Sequence, residues 1–259
     1  MDIVPFIKAW QLYIMFFMSG ICGTLVFLTT KTGTLSARRK QILILLESSA
    51  MLLLLCDCFA YLYRGDVSSM GYGIVRISNF IVYLCMLVLP YGVSLYLRDL
   101  FANEGNMQSL PKRLAVCKTL FIAGVVLLVI SQFTGLYYTF DAQNQYQRAP
   151  ANALGYVFPL AMVLIQLSAI IQYRKLLTKR MTHALTLHLV MPVVASVVQL
   201  FTYGVSLINM TLVGMVIYLS MATRFAQKRE RWRRASCRTA MPPRNKALRK
   251  VQEPMTSRP

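Results

Sequence analysis

Seven polar or ionisable residues interrupt otherwise apolar stretches of the sequence, and their side chains are the ones that could do chemistry. An ionised group inside a bilayer costs a few kcal/mol or more unless it is paired, bound to a ligand or able to reach the membrane surface. Each of these residues therefore needs a partner or a function. They are Glu47, Asp57, Arg76, Asn79, Lys118, His188 and Asn209.

The spacing of Asp57 and Arg76 predicts an ion pair. Asp57 lies about six residues before the end of one apolar stretch and Arg76 about three residues into the next, so their depths differ by roughly 4–5 Å. The short loop between the stretches makes them antiparallel neighbours, which brings the two side chains within reach. Two other roles for Arg76 stay open: snorkelling to the lipid headgroups, or binding a polar or anionic small ligand together with Asp57 and Asn79.

We interpret the other four residues as structural. Glu47 and Lys118 lie at similar depths, each about five or six residues from the opposite membrane surface. Lys118 is long enough to snorkel, whereas the shorter Glu47 must face the interior of a helix bundle or bind a proton. His188 and Asn209 are expected to be interior polar residues of the same bundle.

The spacing of these residues predicts neither an enzyme nor a metal site. Glu47 and Asp57 are ten residues apart, which is about 15 Å along one helix and too far for a catalytic pair. Cys56 and Cys58 point to different faces of a helix, and the six cysteines do not suggest a disulfide framework. We therefore expect no catalysis, no cofactor and no bound metal.

Seven long apolar spans must position these residues. Hydrophobic residues make up 56% of the 259 residues, charged residues 14%, and the mean hydropathy is +0.52. Because about 20 apolar residues can cross a hydrocarbon core as a helix, the sequence predicts an all-α polytopic membrane protein, a seven-helix bundle in residues 1–223. The last two spans require a tight turn at Tyr203–Gly204. The spans are Trp10–Thr30, Gln41–Tyr63, Gly73–Leu97, Leu114–Phe133, Gly155–Tyr173, Ala184–Tyr203 and Val205–Thr223.

Basic residues orient the predicted helices. The net charge is +19, from 28 Lys+Arg against 9 Asp+Glu, and the surplus lies in the first, third and fifth loops and after the last span. Cytoplasmic loops of membrane proteins carry such a surplus. We therefore predict a multi-pass plasma-membrane protein with its N-terminus outside and its C-terminus in the cytoplasm.

The segment after the last span, residues 224–259, is predicted to be a basic cytoplasmic stem and tail. It holds twelve basic and two acidic residues. We expect a helical stem over Arg224–Arg234 and a mostly disordered tail from about Ala235. Each Lys or Arg near an anionic surface gains about 1 kcal/mol, so anionic lipid headgroups are the expected partner. Nucleic acid is disfavoured as a partner, because Phe225 and Trp232 are the only aromatic residues there.

The stretch YRGDVSSMGYGIVRISNF, residues 63–80, carries a resemblance to a known family. It resembles the seven-helix N-terminal sensor region of bacterial, Firmicutes-type signalling proteins, in which that region precedes a histidine kinase or a diguanylate cyclase. The resemblance implies a sensory or receptor-like membrane module. It also implies an unknown small ligand and, as partner, a second copy of the chain or a separate signalling protein.

The segment that follows the spans departs from this family. A kinase of that kind has a phospho-acceptor histidine after its linker, but the two histidines here, His183 and His188, precede the seventh span. No kinase or cyclase activity is therefore expected. The alternative function is a small-solute or ion transporter or channel, which the absence of two matching halves in the sequence disfavours.

Overall fold

The computed structural model describes residues 3–105, 107, 111–201 and 205–239 of the chain. Within these ranges seven helices are long and apolar enough to cross a membrane. The predicted all-α, seven-helix membrane architecture is thus confirmed. The helices are α1 (Ile3–Lys31), α2 (Ala37–Leu62), α3 (Ser69–Asn103), α4 (Arg113–Thr134), α5 (Leu154–Tyr173), α6 (Lys179–Phe201) and α7 (Leu207–Thr239).

The predicted spans match the helices to within a few residues, except where the helices continue beyond the apolar stretch. α3 is longer than its predicted span at both ends, and α7 continues to Thr239. A helix over Arg224–Arg234 is therefore confirmed, and it runs past Ala235, where disorder was expected to begin. Residues 240–259 and the turn predicted at Tyr203–Gly204 lie outside the described residues.

α2 and α3 form the centre of the bundle. In the most apolar stretch of 18 residues in each helix, 61% of the α2 residues and 67% of the α3 residues are buried, against 28% in α1, α4 and α5. α1 and α7 pack on α2, α4 and α5 pack on α3, and α6 packs mainly on α7. Fully buried Leu43, Leu53, Leu89 and Tyr96 belong to the core around the central pair. The outer helices α1, α4, α5 and α7 therefore each pack directly against one of the two central helices.

Local signals in the α2–α3 loop begin α3. The Ser68 hydroxyl accepts a hydrogen bond from the Gly71 N–H at 3.0 Å, as an N-cap does. Gly71 packs so closely on the loop that a Cβ at this position would lie 2.5 Å from Cγ of Asp66. Only glycine fits there, and the tight loop makes α2 and α3 antiparallel neighbours, as predicted.

The two ends of the bundle differ. One, the hairpin end, holds the α2–α3 loop, the α6–α7 connection and an antiparallel β-hairpin between α4 and α5, made of β1 (Tyr138–Phe140) and β2 (Tyr146–Arg148). The other, the basic end, holds the α1–α2, α3–α4 and α5–α6 connections and the extension of α7. No hairpin was predicted from the sequence, because strands of three residues are too short to show an alternating pattern.

Candidate functional site

A cavity of about 440 Å³, here called the polar cavity, lies among α2, α3, α6 and α7 beside the hairpin. α2 contributes the carboxylate of Asp57. The α2–α3 loop contributes Arg64, and β2 contributes Arg148. The lining also includes four tyrosines. The other polar residues of the lining are Asp57, Arg64, Asn79, Gln147, Arg148, Gln199, Ser206 and Asn209.

The Asp57 carboxylate is buried on the face of α2 that meets the start of α7. Its Oδ2 accepts a hydrogen bond from Asn209 Nδ2 at 2.7 Å and another from the Ser206 hydroxyl. Asn209 also donates to Ser206 Oγ at 3.0 Å. All three residues are 8% exposed. A buried carboxylate needs such donors, so these contacts hold α2 and α7 together at the cavity.

The predicted ion pair between Asp57 and Arg76 is wrong. Arg76 Nη1 donates to the Tyr72 carbonyl at 3.3 Å and to Asn144 Oδ1 at 3.1 Å. Its guanidinium carbon lies 4.4 Å from the ring centroid of Tyr72 and 4.7 Å from that of Phe140. The two residues miss each other because Asp57 faces α7 whereas Arg76 faces the hairpin. Arg76 is therefore a contact between α3 and the hairpin, which is neither the predicted pairing nor simple snorkelling.

Asn144 completes the attachment of the hairpin to the α2–α3 loop. It is fully buried, and its φ of 52° is in the left-handed region that asparagine tolerates. Its Nδ2 donates to the Asp66 carbonyl at 2.8 Å, while its Oδ1 accepts from Arg76. This asparagine therefore links the loop before α3, the first part of α3 and the turn of the hairpin.

Asp141 organises the turn of the hairpin. Its Oδ1 accepts from the backbone N–H of Gln145 at 2.8 Å and of Gln143 at 3.1 Å, and its Oδ2 accepts from Gln147 Nε2 at 3.0 Å. The Gln145 N–H, followed by the Gln147 amide, holds the pKa of the Asp141 carboxyl below its usual value.

A hydrogen-bonded group of tyrosines forms one wall of the polar cavity. The Tyr83 and Tyr146 hydroxyls lie 2.9 Å apart, and Asn152 Nδ2 donates to Tyr83 Oη at 2.7 Å and to the Tyr137 carbonyl at 2.9 Å. Tyr83 also stacks on Tyr138, with ring centroids 5.2 Å apart. These contacts connect α3, the hairpin and the segment before α5, which gives the wall a defined shape.

A second cavity of about 370 Å³, here called the apolar cavity, lies among α3, α5, α6 and α7. Met86, Arg148, Tyr156, Gln199 and Ile208 line both cavities, so the two adjoin. The predicted interior residue His188 is 2% exposed and lines the apolar cavity. Its Nδ1 has no hydrogen-bond partner in the described part of the chain.

Glu47 and Lys118, near the basic end, are not brought together. Glu47 is fully buried, and its Oε2 accepts from Thr29 Oγ1 at 2.7 Å while its Oε1 lies 3.4 Å from Arg224 Nη2. Lys118 is exposed on α4. Glu47 therefore faces the bundle interior, as expected, and its cationic partner comes from α7.

A second charged cluster at the basic end was not predicted. Arg39 Nε donates to Asp99 Oδ2 at 2.7 Å, and Arg39 Nη1 donates to Glu104 Oε1 at 2.8 Å. Arg39 had been interpreted only as one of the basic residues that orient the chain. Its sequence neighbourhood gives no sign of a carboxylate partner about 60 residues away.

Of the three predicted ligand-binding residues, Asp57 and Asn79 line the polar cavity and Arg76 does not. Asn79 Nδ2 donates to the Val75 carbonyl of its own helix at 2.8 Å. Arg64 and Arg148, which the sequence presented only as loop charges, line the cavity as well. The site can thus offer guanidinium donors and a carboxylate acceptor to a polar ligand. Among the described residues, no group of three or more His, Cys, Asp or Glu could hold a metal ion.

Comparison of the chain with protein-family models, with curated proteins and with solved structures gave no match in any of the three. The resemblance of residues 63–80 to bacterial sensor regions therefore has no support from these comparisons.

Proposed function

We propose that this protein is a receptor-like sensory module of a bacterial signalling protein. In this proposal it spans the plasma membrane with its N-terminus outside and its C-terminus in the cytoplasm. A small ligand binds in the polar cavity. The single observation that carries the proposal is that α7 begins at the polar cavity and continues as one helix to Thr239.

α7 is bonded to α2 near both of its membrane ends. Asn209 bonds Asp57 at the cavity, and Arg224 contacts Glu47 near the basic end. The two α7 residues are 15 positions apart, or about 22 Å along the helix. A ligand in the cavity that alters the hydrogen bonds of the Asp57 carboxylate changes how the start of α7 rests on α2. A helix is stiff enough to carry that change to the stem, provided that the ligand prefers one of the two arrangements.

The distribution of charge supports the orientation. The connections at the basic end and the α7 extension hold the Lys and Arg surplus that cytoplasmic segments carry. The polar cavity adjoins the opposite end, which then faces outward. The exposed Lys228 and Arg229 of the stem can contact anionic lipid headgroups. The helical stem is also where a second copy of the chain or a separate signalling protein would receive the signal.

Packing below the polar cavity supports a sensor over the alternative, a transporter or channel. Leu53, Leu54, Val213 and Val216 are fully buried between Asp57 and the basic end. These residues belong to the same apolar core as Leu43 and Leu46. A solute in the polar cavity therefore meets close-packed side chains, and a path across the bundle would require α2 and α7 to separate.

The test compares the stem response with solute flux. In a cysteine-free background, an environment-sensitive fluorophore is placed at Lys228→Cys on the stem, and a matched control label at Lys175→Cys, also exposed at the basic end. We expect Asp57→Asn to change the emission of the Lys228 label and leave the Lys175 label unchanged. An unchanged Lys228 label would contradict coupling. Saturable flux of ions or amino acids into liposomes, abolished by Asp57→Asn, would establish the transporter instead.

A further inference from the structure

The apolar cavity has the shape of a groove that runs parallel to the helices. On α6 its lining extends from His188 to Gln199, which is about 16 Å along the helix axis. Leu160 of α5 and Val193 and Val197 of α6 line it and are still 45%, 37% and 53% exposed. Because these residues lie on apolar helices that span the membrane, the groove opens sideways to lipid between α5 and α6.

Two arginines that form no salt bridge with the described residues lie at the hairpin end of this groove. Arg148 lines both cavities and Arg64 lines the polar cavity. In the described part of the chain the salt bridges are made by Arg39 and Arg224, so neither Arg64 nor Arg148 is in one. The carboxylate of the lining, Asp57, is already bonded to Ser206 and Asn209. Both arginines are exposed, so their guanidinium groups can bind an anion.

A buried nitrogen at the other end of the groove also lacks a partner. Within the described part of the chain, His188 Nδ1 has no hydrogen-bond partner, although the residue is only 2% exposed. Buried polar atoms in proteins nearly always form a hydrogen bond. Since His188 lines the apolar cavity, a hydroxyl or amide N–H on the occupant of the groove can supply that partner.

We propose that the two cavities together bind a single-chain anionic amphiphile that enters from the bilayer between α5 and α6. Its carboxylate or phosphate head lies at Arg148 and Arg64, its chain fills the apolar cavity, and a hydrogen-bond donor on the chain meets His188. Only the statement that this molecule is the signal rests on the proposed sensory function. The binding itself stands on the lining, the two arginines and the buried His188 Nδ1.

The test is photo-crosslinking of the full chain in nanodiscs of neutral phosphatidylcholine. A diazirine derivative of dodecanoate is the probe, and mass spectrometry maps its adducts. We expect adducts in α5 and α6 peptides, competed by excess dodecanoate but not by dodecanol, which lacks the charge. Adducts that neither molecule competes, or both compete equally, would show ordinary lipid contact and overturn the proposal. Stronger competition by dodecylamine would overturn the assigned charge of the head.

Matched variants separate the head from the chain. Arg148→Gln should weaken competition by dodecanoate roughly five- to tenfold, the size expected for a lost charge-assisted hydrogen bond at an exposed site. Arg180→Gln, an exposed arginine at the basic end, should have no effect. Val193→Trp should fill the groove and abolish competed labelling, whereas Val194→Trp, on the adjacent lipid-facing position, should not. If Arg148→Gln and Arg180→Gln, or Val193→Trp and Val194→Trp, changed the competed labelling equally, the proposed site would be contradicted.

The histidine contact has its own readout. We expect 12-hydroxydodecanoate to compete several-fold better than dodecanoate in the wild-type chain, and this advantage to vanish in His188→Leu. Equal competition by the two acids in the wild type would remove the chain donor from the proposal. Competed binding without any change at the Lys228 label would uphold the ligand and overturn its role as signal. A response of the Lys228 label to Asp57→Asn without competed labelling would overturn the amphiphile as ligand and leave the coupling between the cavity and the stem in place.

Discussion

Asp57 on α2 and Asn209 on α7 are joined by a hydrogen bond of 2.7 Å, and the pair lines the polar cavity. The same α7 helix leaves the bundle at its other end as the basic stem. This contact is therefore one of those that hold the start of α7 to the centre of the bundle.

The first prediction concerns that contact. Asn209→Ala removes one of two donors to a buried carboxylate and should lower the free energy of unfolding by about 1–3 kcal/mol. Asn79→Ala is the matched control, since Asn79 lines the same cavity but, among the described residues, its side chain bonds only its own helix. Unfolding of the purified protein in mixed micelles measures both. Equal losses for the two alanine variants would contradict a specific bond between α2 and α7.

The sequence predicted the helices well because their signal is strong. A membrane-spanning helix must be continuously apolar over about 20 residues, and few other structures leave that pattern. The end of the bundle at which Asp57 and Arg76 lie was also predicted, since position along a helix follows from counting. Their partners were not, because a partner depends on which way each helix is rotated. Asp57 faces α7 and Arg76 faces the hairpin, and counting along the helix fixes neither direction.

The candidate site could be predicted only in part for the same reason. Asp57 and Asn79 are conspicuous as polar residues in apolar spans, and both line the polar cavity. Arg64 and Arg148 lie in loops where a lone arginine is ordinary, so nothing in the sequence marked them. The loops place them at the cavity through hydrogen bonds of the hairpin, which involve residues as distant as Asp66 and Asn144.

The second prediction concerns Arg76 as the contact that holds the hairpin. Arg76→Gln removes the guanidinium from between the Tyr72 and Phe140 rings and should speed amide hydrogen exchange in residues 138–148. Arg76→Lys keeps the charge but loses the planar group, so it should restore little of the protection. Full protection in Arg76→Lys would mean that the charge alone matters, as in snorkelling. Arg180→Gln serves as the control for loss of an exposed arginine.

The third prediction is a pH dependence of the hairpin. The pKa of Asp141 is lower in the folded hairpin than in the unfolded chain, because the ionised carboxylate accepts the Gln145 and Gln147 hydrogen bonds. Its stabilisation is therefore complete above the unfolded pKa of about 3.9 and is lost as the pH falls through the folded pKa. Proteolysis of the hairpin with pepsin, measured relative to cleavage of an unstructured peptide at the same pH, should accelerate as the pH falls below about 4. Asp141→Asn should remove that acid step, and an unchanged step would assign it to another group.

The fourth prediction fixes the orientation of the membrane domain. On a cysteine-free background in intact cells, Ser69→Cys at the hairpin end should react with a membrane-impermeant maleimide. Ser36→Cys at the basic end should react only after the cells are permeabilised. Ser69 begins α3 and is exposed, and Ser36 precedes α2. The reverse pattern would place the polar cavity on the cytoplasmic side and contradict the positive-inside assignment.

The fifth prediction concerns the ion pair between Glu47 and Arg224. Arg224→Ala leaves the fully buried Glu47 with Thr29 as its remaining partner. Breaking a fully buried pair costs about 3–5 kcal/mol. The Arg224 side chain is 21% exposed, so solvent screens part of the interaction. We therefore expect a smaller loss in the free energy of unfolding, about 2 kcal/mol.

The design of this test separates a pair from two independent residues. Arg229→Ala is the matched control, because Arg229 is an exposed arginine five residues further along the same helix, and it should change stability by less than about 0.5 kcal/mol. Glu47→Gln combined with Arg224→Gln should cost less than the sum of the two single changes, since neither partner is then left with an uncompensated charge. Strictly additive losses would mean that α7 is held at the basic end by packing alone, and the stem would then be coupled to the bundle without this ion pair.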